Sequence, residues 1–202
     1  MYKGKTAKII QTIVIAIAYI VLSYIADMFG MAKGIVQVRI SDALCVLPYF
    51  TPAAIPGLFI GSIISNIIIS LTEDPMTGKM VLSAAAQQYI LFSGLSILAA
   101  SIVSYCVRKF KFVVAIPPIV FNSITMPMIF HYVFRYEDSV AKCFMTVLIG
   151  EIISCGLLGT ALLLALEDSK DKLFPGNNIA KVSKVIKGTM EDNKSEGDEE
   201  NV

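Results

Sequence analysis

The fold of this chain is decided by residues 43–71, which read ALCVLPYFTPAAIPGLFIGSIISNIIISL. The stretch is mostly apolar and contains three prolines, Pro48, Pro52 and Pro56. One straight helix is not expected, because an internal proline lacks an N–H group and clashes with the preceding turn. We predict a short helix over 42–50, a turn at 51–52 and a full helix over 53–71, in whose first turn Pro56 is tolerated.

Four further segments are apolar over the roughly 20 residues that a helix needs to cross the hydrocarbon core of a bilayer. They are 9–26, 81–107, 112–134 and 139–166. Of the 202 residues, 55% are hydrophobic and 16% are charged, whereas a soluble domain carries about 25% charged residues. The fold class that we predict is an all-α membrane protein, a bundle of six transmembrane helices.

The first apolar segment follows several lysines, as in a secretory signal peptide. It is longer than the apolar region of about 7–15 residues in such peptides, so we interpret it as a retained first helix. With the N-terminus inside, the inner loops carry Lys3, Lys5, Lys8, Arg108, Lys109 and Lys111. The outer loops carry Lys33, Arg39, Lys79, Arg135 and Lys142. Because positive charge is enriched on the cytoplasmic side, six helices with both termini in the cytoplasm fit better than five.

The chain becomes polar at Asp168 and stays so to its end. We predict two regions, a transmembrane bundle over 1–167 and a cytoplasmic, largely disordered tail over 168–202. The tail has too few apolar residues to form a core of its own. A short interfacial helix near 179–187, where apolar residues alternate with lysines, is the alternative.

Small residues recur at four-residue spacing on two of the predicted helices. They are Gly57, Gly61 and Ser65 on the third helix, and Gly156 and Thr160 on the last. Such ridges allow the backbones of two membrane helices to approach closely. Packing within the bundle is one interpretation, and docking to a separate membrane subunit is the other.

Glu151 is the most informative ionisable residue, because it lies inside an apolar segment. A charge at the centre of a membrane helix costs about 2.5–3.5 kcal/mol by insertion scales, so such a residue suggests a function. A carboxyl group held by structural partners alone is the alternative.

Other polar side chains of the predicted spans fall in the outer half of the bundle. The helices contribute Asn66, Gln88, Tyr89 and His131, together with Asn122 at mid-depth, and the outer loop leading into the second helix contributes Gln37, Arg39 and Asp42. Apolar walls with a few convergent polar groups are typical of a solute-binding pocket. For any one of these amides, a structural hydrogen bond between helices is an equally good interpretation.

The chemistry of these residues favours a flat ligand with N–H donors. A carboxylate accepts two parallel N–H bonds, and tyrosines such as Tyr49 and Tyr89 offer faces for stacking. A planar heterocycle with a guanine-like edge fits this set.

Sequence motifs for catalysis and metal binding are absent. The sequence contains no GxxxxGK[ST], GxSxG or HExxH pattern, and His131 is its one histidine. The four cysteines, Cys45, Cys106, Cys143 and Cys155, form no CxxC pair and are expected to pack as small apolar residues. We predict no enzyme activity, no cofactor, no metal and no nucleic-acid partner, and ATP-driven transport would require other subunits.

Several stretches resemble the QueT family, the substrate-binding S components of energy-coupling-factor (ECF) transporters that are assigned to queuosine precursors. They are VQVRISDAL at 36–44, LPYFTPAAIPGLFIG at 47–61 leading to Asn66, Pro117-Pro118 with Asn122, and Gly150-Glu151. The resemblance implies an S-component bundle in the cell membrane, with the loop carrying Gln37 and Arg39 as part of a lid. It also implies a 7-deazaguanine substrate such as queuine or a precursor, and assembly with a transmembrane coupling subunit and two ATPase subunits.

Two positions depart from the family pattern. Asp42 stands where a glutamate is usual, and Thr12-xxx-Ala16 stands where an Ala-xxx-Ala pattern for docking is frequent. Two other functions stay open: a stand-alone, proton-coupled secondary transporter with Glu151 as the coupling group, and a non-transport membrane protein such as a scaffold.

Overall fold

The computed structural model describes residues 2–31, 38–73, 80–135, 137–168 and 173. Within these ranges the chain forms six helices and one two-stranded ribbon. The helices are helix 1 (Tyr2–Met28), helix 2 (Ile40–Tyr49), helix 3 (Ala54–Ser70), helix 4 (Ala84–Cys106), helix 5 (Lys111–Val133) and helix 6 (Val140–Glu167). Strands β1 (Thr72–Glu73) and β2 (Met80–Val81) pair antiparallel between helices 3 and 4.

Four of the helices are long and apolar enough to cross a membrane, namely helices 1, 4, 5 and 6. Helices 2 and 3 are apolar but shorter. The prediction of an all-α, multi-pass membrane protein is therefore confirmed, whereas the count of six spans and the side on which the termini lie stay predictions.

Helix 2 lies inside a wall made by the other five helices. Helices 1, 3, 4, 5 and 6 pack in that order, each against the next, and helix 2 contacts helices 1, 3, 4 and 6 as well as the start of helix 5. Residues 41–48 are consequently all buried.

Helix 2 is a 3-10 helix, begins at Ile40 rather than at residue 42, and contains Pro48. Such helices rise about 2.0 Å per residue and seldom exceed 3–4 residues, so its 10 residues are an unusual length. In this geometry side chains three residues apart lie on one edge. Arg39, just before the helix, therefore lies in line with Asp42 and Cys45.

The glycine ridge of helix 3 packs against helix 1 within the chain. A Cβ atom at Gly57 would lie 2.9 Å from the carbonyl oxygen of Thr12, and one at Gly61 would lie 2.9 Å from Cβ of Tyr19 and 3.0 Å from the carbonyl oxygen of Ala16. The interpretation as packing within the bundle holds for this ridge. The Thr12-xxx-Ala16 pattern faces helix 3 and is not a free docking surface.

On helix 6 the close approach is made by a different glycine from the one predicted. A Cβ atom at Gly159 would lie 2.9 Å from Cγ1 of Val46 on helix 2, whereas at Gly156 the nearest atom is 3.7 Å away. Helix 6 is π-helical from Ile152 to Gly159. Within this π-helical segment, Gly159 rather than Gly156 faces helix 2.

An apolar core surrounds the second half of helix 2. Its members are Ile15, Tyr19, Leu44, Cys45, Val46, Leu47, Phe50, Ala54, Leu58, Ile97, Val114, Ala115, Cys155 and Leu163. Beyond it, Lys111 at the start of helix 5 forms an ion pair with Glu167 at the end of helix 6. Of the predicted tail, Asp168 and Leu173 are described; its predicted disorder and the alternative helix near 179–187 lie outside the described residues.

Candidate functional site

A buried polar cluster lies at the end of the bundle where helix 2 begins, and Asn122 is at its centre. The amide nitrogen of Asn122 donates to Oδ2 of Asp42 at 3.3 Å and to Oε1 of Glu151 at 3.1 Å. Its amide oxygen accepts from the hydroxyl of Ser96 at 2.8 Å. Asp42 and Asn122 are fully buried and Glu151 is 2% exposed, so the two carboxyl groups face the protein interior and not lipid.

Arg39 lies over Asp42 and reaches three further helices. Its Nε is 3.5 Å from Oδ2 of Asp42. Its terminal nitrogens lie 3.3 Å from the Tyr19 hydroxyl, 3.5 Å from the Tyr89 hydroxyl and 3.9 Å from Sδ of Met126. Charge-assisted hydrogen bonds are usually about 2.7–2.9 Å long, so none of these contacts holds the guanidinium tightly.

Tyr19 of helix 1 fixes the other side of Asp42. Its hydroxyl donates to Oδ1 of Asp42 at 2.6 Å, the shortest contact of the cluster. The phenol is fully buried, and its Cβ lies against Gly61. The glycine ridge thus brings helix 1 close enough for Tyr19 to reach helix 2.

Asn66 and Ser93 extend the cluster toward helix 3. The Asn66 amide donates to the Ser93 hydroxyl at 3.0 Å, and its oxygen lies 3.5 Å from the Tyr89 hydroxyl. Tyr89 therefore stands between Asn66 and Arg39. All six helices, with the residue just before helix 2, contribute a side chain to one connected set.

Cys155 closes the cluster on helix 6. Its thiol lies 3.3 Å from Oε2 of Glu151, one helical turn earlier, and 3.0 Å from the carbonyl oxygen of Asp42. Glu151 is the last residue before the π-helical segment, and such irregular turns frequently occur at functional sites.

The structure brings most of the predicted site residues together, but not all of them. Glu151, Asn122, Asp42, Arg39, Tyr89 and Asn66 share the cluster. Gln88 is exposed near the start of helix 4, so the structure does not bring it into the cluster, and its role in the site stays a prediction. His131 is half-buried in the π-helical end of helix 5, with its ring 5.0 Å from that of Tyr132, and Gln37 lies outside the described residues.

Several residues of the cluster were not predicted from the sequence. They are Tyr19, Ser93, Ser96, Met126 and Cys155. Two spacings carried a usable signal. Cys155 follows Glu151 by four residues and Ser96 follows Ser93 by three, so each pair shares one helix face.

The comparisons with known proteins identify the family of this chain. The model of the QueT transporter family matches residues 9–168. No match was found among curated proteins or among solved structures. Because the match covers most of the chain, from Ile9 in helix 1 to just past the end of helix 6, the chain belongs to the QueT transporter family, which implies transport of a queuosine precursor.

Proposed function

We propose that this chain is the substrate-binding S component of an ECF importer that takes up a 7-deazaguanine base, a queuosine precursor, across the plasma membrane. The observation that carries the proposal is the buried set of Asp42, Asn122 and Glu151 with Arg39 above it. Charged groups inside a membrane bundle are costly and usually mark a solute path or site.

The proposed orientation has six spans and both termini in the cytoplasm. Helix 2 then begins on the outer side, so the cluster lies in the outer half of the bundle and is approached from outside. Arg39, just before helix 2, lies next to Asp42 of the cluster, whereas the part of the predicted lid that carries Gln37 lies outside the described residues.

The contacts of the cluster divide into tight ones that fix its shape and loose ones that a ligand could replace. The Tyr19–Asp42 bond at 2.6 Å and the Ser96–Asn122 bond at 2.8 Å are tight. The contacts of Arg39 at 3.3–3.9 Å are loose. A base with N–H donors and a carbonyl oxygen could bond to the carboxyl and amide groups and to the guanidinium, at little cost in lost internal bonds.

The apolar core argues against a stand-alone carrier. It fills the bundle around the second half of helix 2, between the cluster and the Lys111–Glu167 ion pair. A proton-coupled carrier needs polar groups on both sides of its central carboxylate to complete a path. Since the sequence has no nucleotide-binding loop, we propose that a transmembrane coupling subunit and two ATPase subunits supply the energy.

The first test is calorimetric titration of the purified chain with queuine and with 7-aminomethyl-7-deazaguanine. We expect binding by the wild type and a loss of at least tenfold in affinity for Glu151→Gln, which removes one charged acceptor. Thr146→Val is the matched control, because the Thr146 hydroxyl bonds to its own helix at the carbonyl oxygen of Cys143. No binding to folded wild-type protein would contradict the proposal.

The second test separates the ECF importer from the stand-alone carrier. The chain is expressed in cells with and without the coupling and ATPase subunits, and uptake of labelled base is measured. We expect uptake with those subunits alone, together with their co-purification. Uptake that persists without them and collapses with a protonophore would favour the carrier.

A further inference from the structure

The short loop between helices 4 and 5, residues 107–110, carries two cations and an exposed phenylalanine. Both flanking helices, Ala84–Cys106 and Lys111–Val133, are long and apolar enough to cross a membrane. Since the loop is short and joins the ends of two such helices, it must lie at a membrane surface. This placement holds whichever side of the membrane the termini occupy.

The loop is held in one shape by its backbone and by a buried bond between the two helices. The N–H of Phe110 donates to the carbonyl oxygen of Val107 at 3.0 Å, and the N–H of Val113 donates to that of Phe110 at 3.0 Å. The hydroxyl of Ser104, which is fully buried on helix 4, donates to the carbonyl oxygen of Val114 at 2.9 Å. The side chains of the loop are therefore presented on a fixed turn.

Two phenylalanine rings are exposed at this loop. Phe110 is 67% exposed and Phe112 is 64% exposed. Lys111, between them in the sequence, pairs instead with Glu167 of helix 6. An apolar ring at a membrane surface is best accommodated at the boundary between the headgroups and the acyl chains. Lipid is therefore the partner that covers these two rings.

Arg108 and Lys109 are the charges that lie beside these rings in the sequence. Neither forms an ion pair with a residue that the structure describes, whereas Lys111 is already paired with Glu167. The guanidinium carbon of Arg108 lies 4.1 Å from the centre of the Tyr105 ring. Because a ring face holds a guanidinium without offering it an acceptor atom, this contact leaves Arg108 in need of acceptors.

The charges around the loop favour an anionic partner. Helices 1 and 3 begin at the same end of the bundle, because successive glycines of helix 3 approach successive turns of helix 1. Helix 4 ends there too, because an antiparallel ribbon joins it to helix 3. The described side chains at this end include five cations and two acids, namely Lys5, Lys8, Arg108, Lys109 and Lys111, with Glu167 and Asp168. A basic surface of this kind attracts anionic lipids, by about fivefold per cation.

We propose that the loop between helices 4 and 5 is a binding site for the headgroup of an anionic phospholipid. Arg108 and Lys109 bind the headgroup, and the N–H groups of Arg108 donate to its phosphate oxygens. Phe110 and Phe112 enter the boundary with the acyl chains. Two unpaired cations should favour an anionic over a zwitterionic lipid about 25-fold at this position. The site does not depend on which solute the bundle carries.

The lipid preference can be measured with one fluorescent reporter, because the sequence contains no tryptophan. The full chain with Phe110→Trp is reconstituted in phosphatidylcholine vesicles that contain a minor share of phosphatidylglycerol, and one or the other lipid is brominated to quench the reporter. We expect brominated phosphatidylglycerol to quench about 25-fold more strongly per molecule than brominated phosphatidylcholine. Phe92→Trp, at an exposed position inside helix 4, is the control reporter and should show no preference.

Two results of this measurement would overturn the site. Equal quenching of the Phe110→Trp reporter by the two lipids would show that the loop does not select an anionic headgroup. Quenching by neither lipid would show that the loop is withdrawn from the bilayer, as a surface that docks another protein would be.

A pair of charge variants separates a site from general surface charge. In the reporter background, Arg108→Gln with Lys109→Gln should abolish the preference, whereas Lys5→Gln with Lys8→Gln removes the same charge from helix 1. Helix 3 lies between helices 1 and 4. With packed helices about 8–10 Å apart, those lysines lie beyond the Debye length of about 8–10 Å, and their loss should change the preference less than about twofold. Equal losses from the two pairs, or a preference that survives the first pair, would overturn the proposal.

A measurement without a reporter keeps the test valid if a substitution in the loop disturbs its fold. Native mass spectrometry of the unaltered chain, released from vesicles of equal phosphatidylglycerol and phosphatidylcholine content, identifies the lipids that stay bound. We expect retained phosphatidylglycerol, and its loss after Arg108→Gln with Lys109→Gln. An unaltered chain that retains both lipids equally, or neither, would overturn the proposal.

Discussion

A methyl group added at Gly61 of helix 3 should disturb the candidate site by displacing helix 1, which carries Tyr19. In Gly61→Ala the new Cβ would lie 2.9 Å from Cβ of Tyr19, 3.0 Å from the carbonyl oxygen of Ala16 and 3.1 Å from its Cα. Two of these atoms belong to the backbone, so a side-chain rotation cannot relieve the clash. Helix 1 must move away from helix 3.

The size of the effect follows from these distances. Carbon atoms in contact prefer about 3.5–4.0 Å, so the shift is about 0.6 Å or more, and the Tyr19–Asp42 bond of 2.6 Å would lengthen to about 3.2 Å. Overpacking lowers the free energy of unfolding by about 1–3 kcal/mol. Replacing a glycine inside a helix by alanine raises it by about 0.5–1 kcal/mol. Gly156→Ala is the matched control, because its Cβ would have 3.7 Å of space and should only gain stability.

The buried cysteines provide the assay, since the chain contains no tryptophan. Cys45, Cys143 and Cys155 are buried and Cys106 is exposed, so in a Cys106→Ser background a thiol-reactive dye reports unfolding. We expect Gly61→Ala to melt about 2–12 °C below Gly156→Ala, taking about 2–4 °C per kcal/mol for a chain of this size. Equal melting temperatures for the two variants would refute the close approach of helices 1 and 3.

Three further measurements test other parts of the structure. Tyr19→Phe should destabilise the protein by about 1.5–3 kcal/mol, the usual contribution of a hydrogen bond to a charged group, and an unchanged melting temperature would show that Asp42 does not depend on this hydroxyl. Cys106 should react with a membrane-impermeant maleimide in inside-out vesicles and not in intact cells, and the reverse pattern would invert the proposed orientation. Lys111→Met should lower the free energy of unfolding by less than about 1 kcal/mol, because the ion pair of Lys111 with Glu167 is partly exposed. A drop in melting temperature of more than about 4 °C would show that this pair contributes more to stability.

The sequence predicted those features that the bilayer penalises strongly. Long apolar segments and three prolines located the helices, and the high cost of a polar group at membrane depth identified Glu151 and Asn122 as candidates for one site. Asp42 was added from its place at the start of the second helix. Other side chains of the cluster are cheaper to bury. A serine hydroxyl can bond to its own helix backbone, a cysteine packs as a small apolar residue, and a tyrosine is a largely apolar ring with one hydroxyl. The cost of burial therefore did not identify Tyr19, Ser96 or Cys155, and the spacing of Ser96 from Ser93 and of Cys155 from Glu151 was the signal available for two of them.

The 3-10 form of helix 2 could not be predicted from the sequence, for a different reason. The choice between an α-helix and a 3-10 helix over ten residues depends on the helices that surround it, and the sequence alone does not place those neighbours. The exposure of Gln88 could not be predicted for a related reason. A glutamine in the second turn of helix 4 can be buried or exposed with little difference in local energy, so its predicted depth alone did not decide its burial.

The charged residues at the start of helix 2 are tolerated because this helix is short and enclosed by the other helices. A 3-10 helix of ten residues reaches about 20 Å, less than the hydrocarbon thickness of about 30 Å, so it gains little from contact with lipid and is enclosed by the other helices. An enclosed helix has no lipid-facing side, as the unbroken burial of residues 41–48 shows. Every other helix has exposed apolar residues along one side, so a charge on it must point inward to avoid lipid, as Glu151 does. The start of helix 2 is thus the position in the described bundle where Arg39 and Asp42 can be adjacent, shielded from lipid, and within reach of side chains from helices 1, 4, 5 and 6.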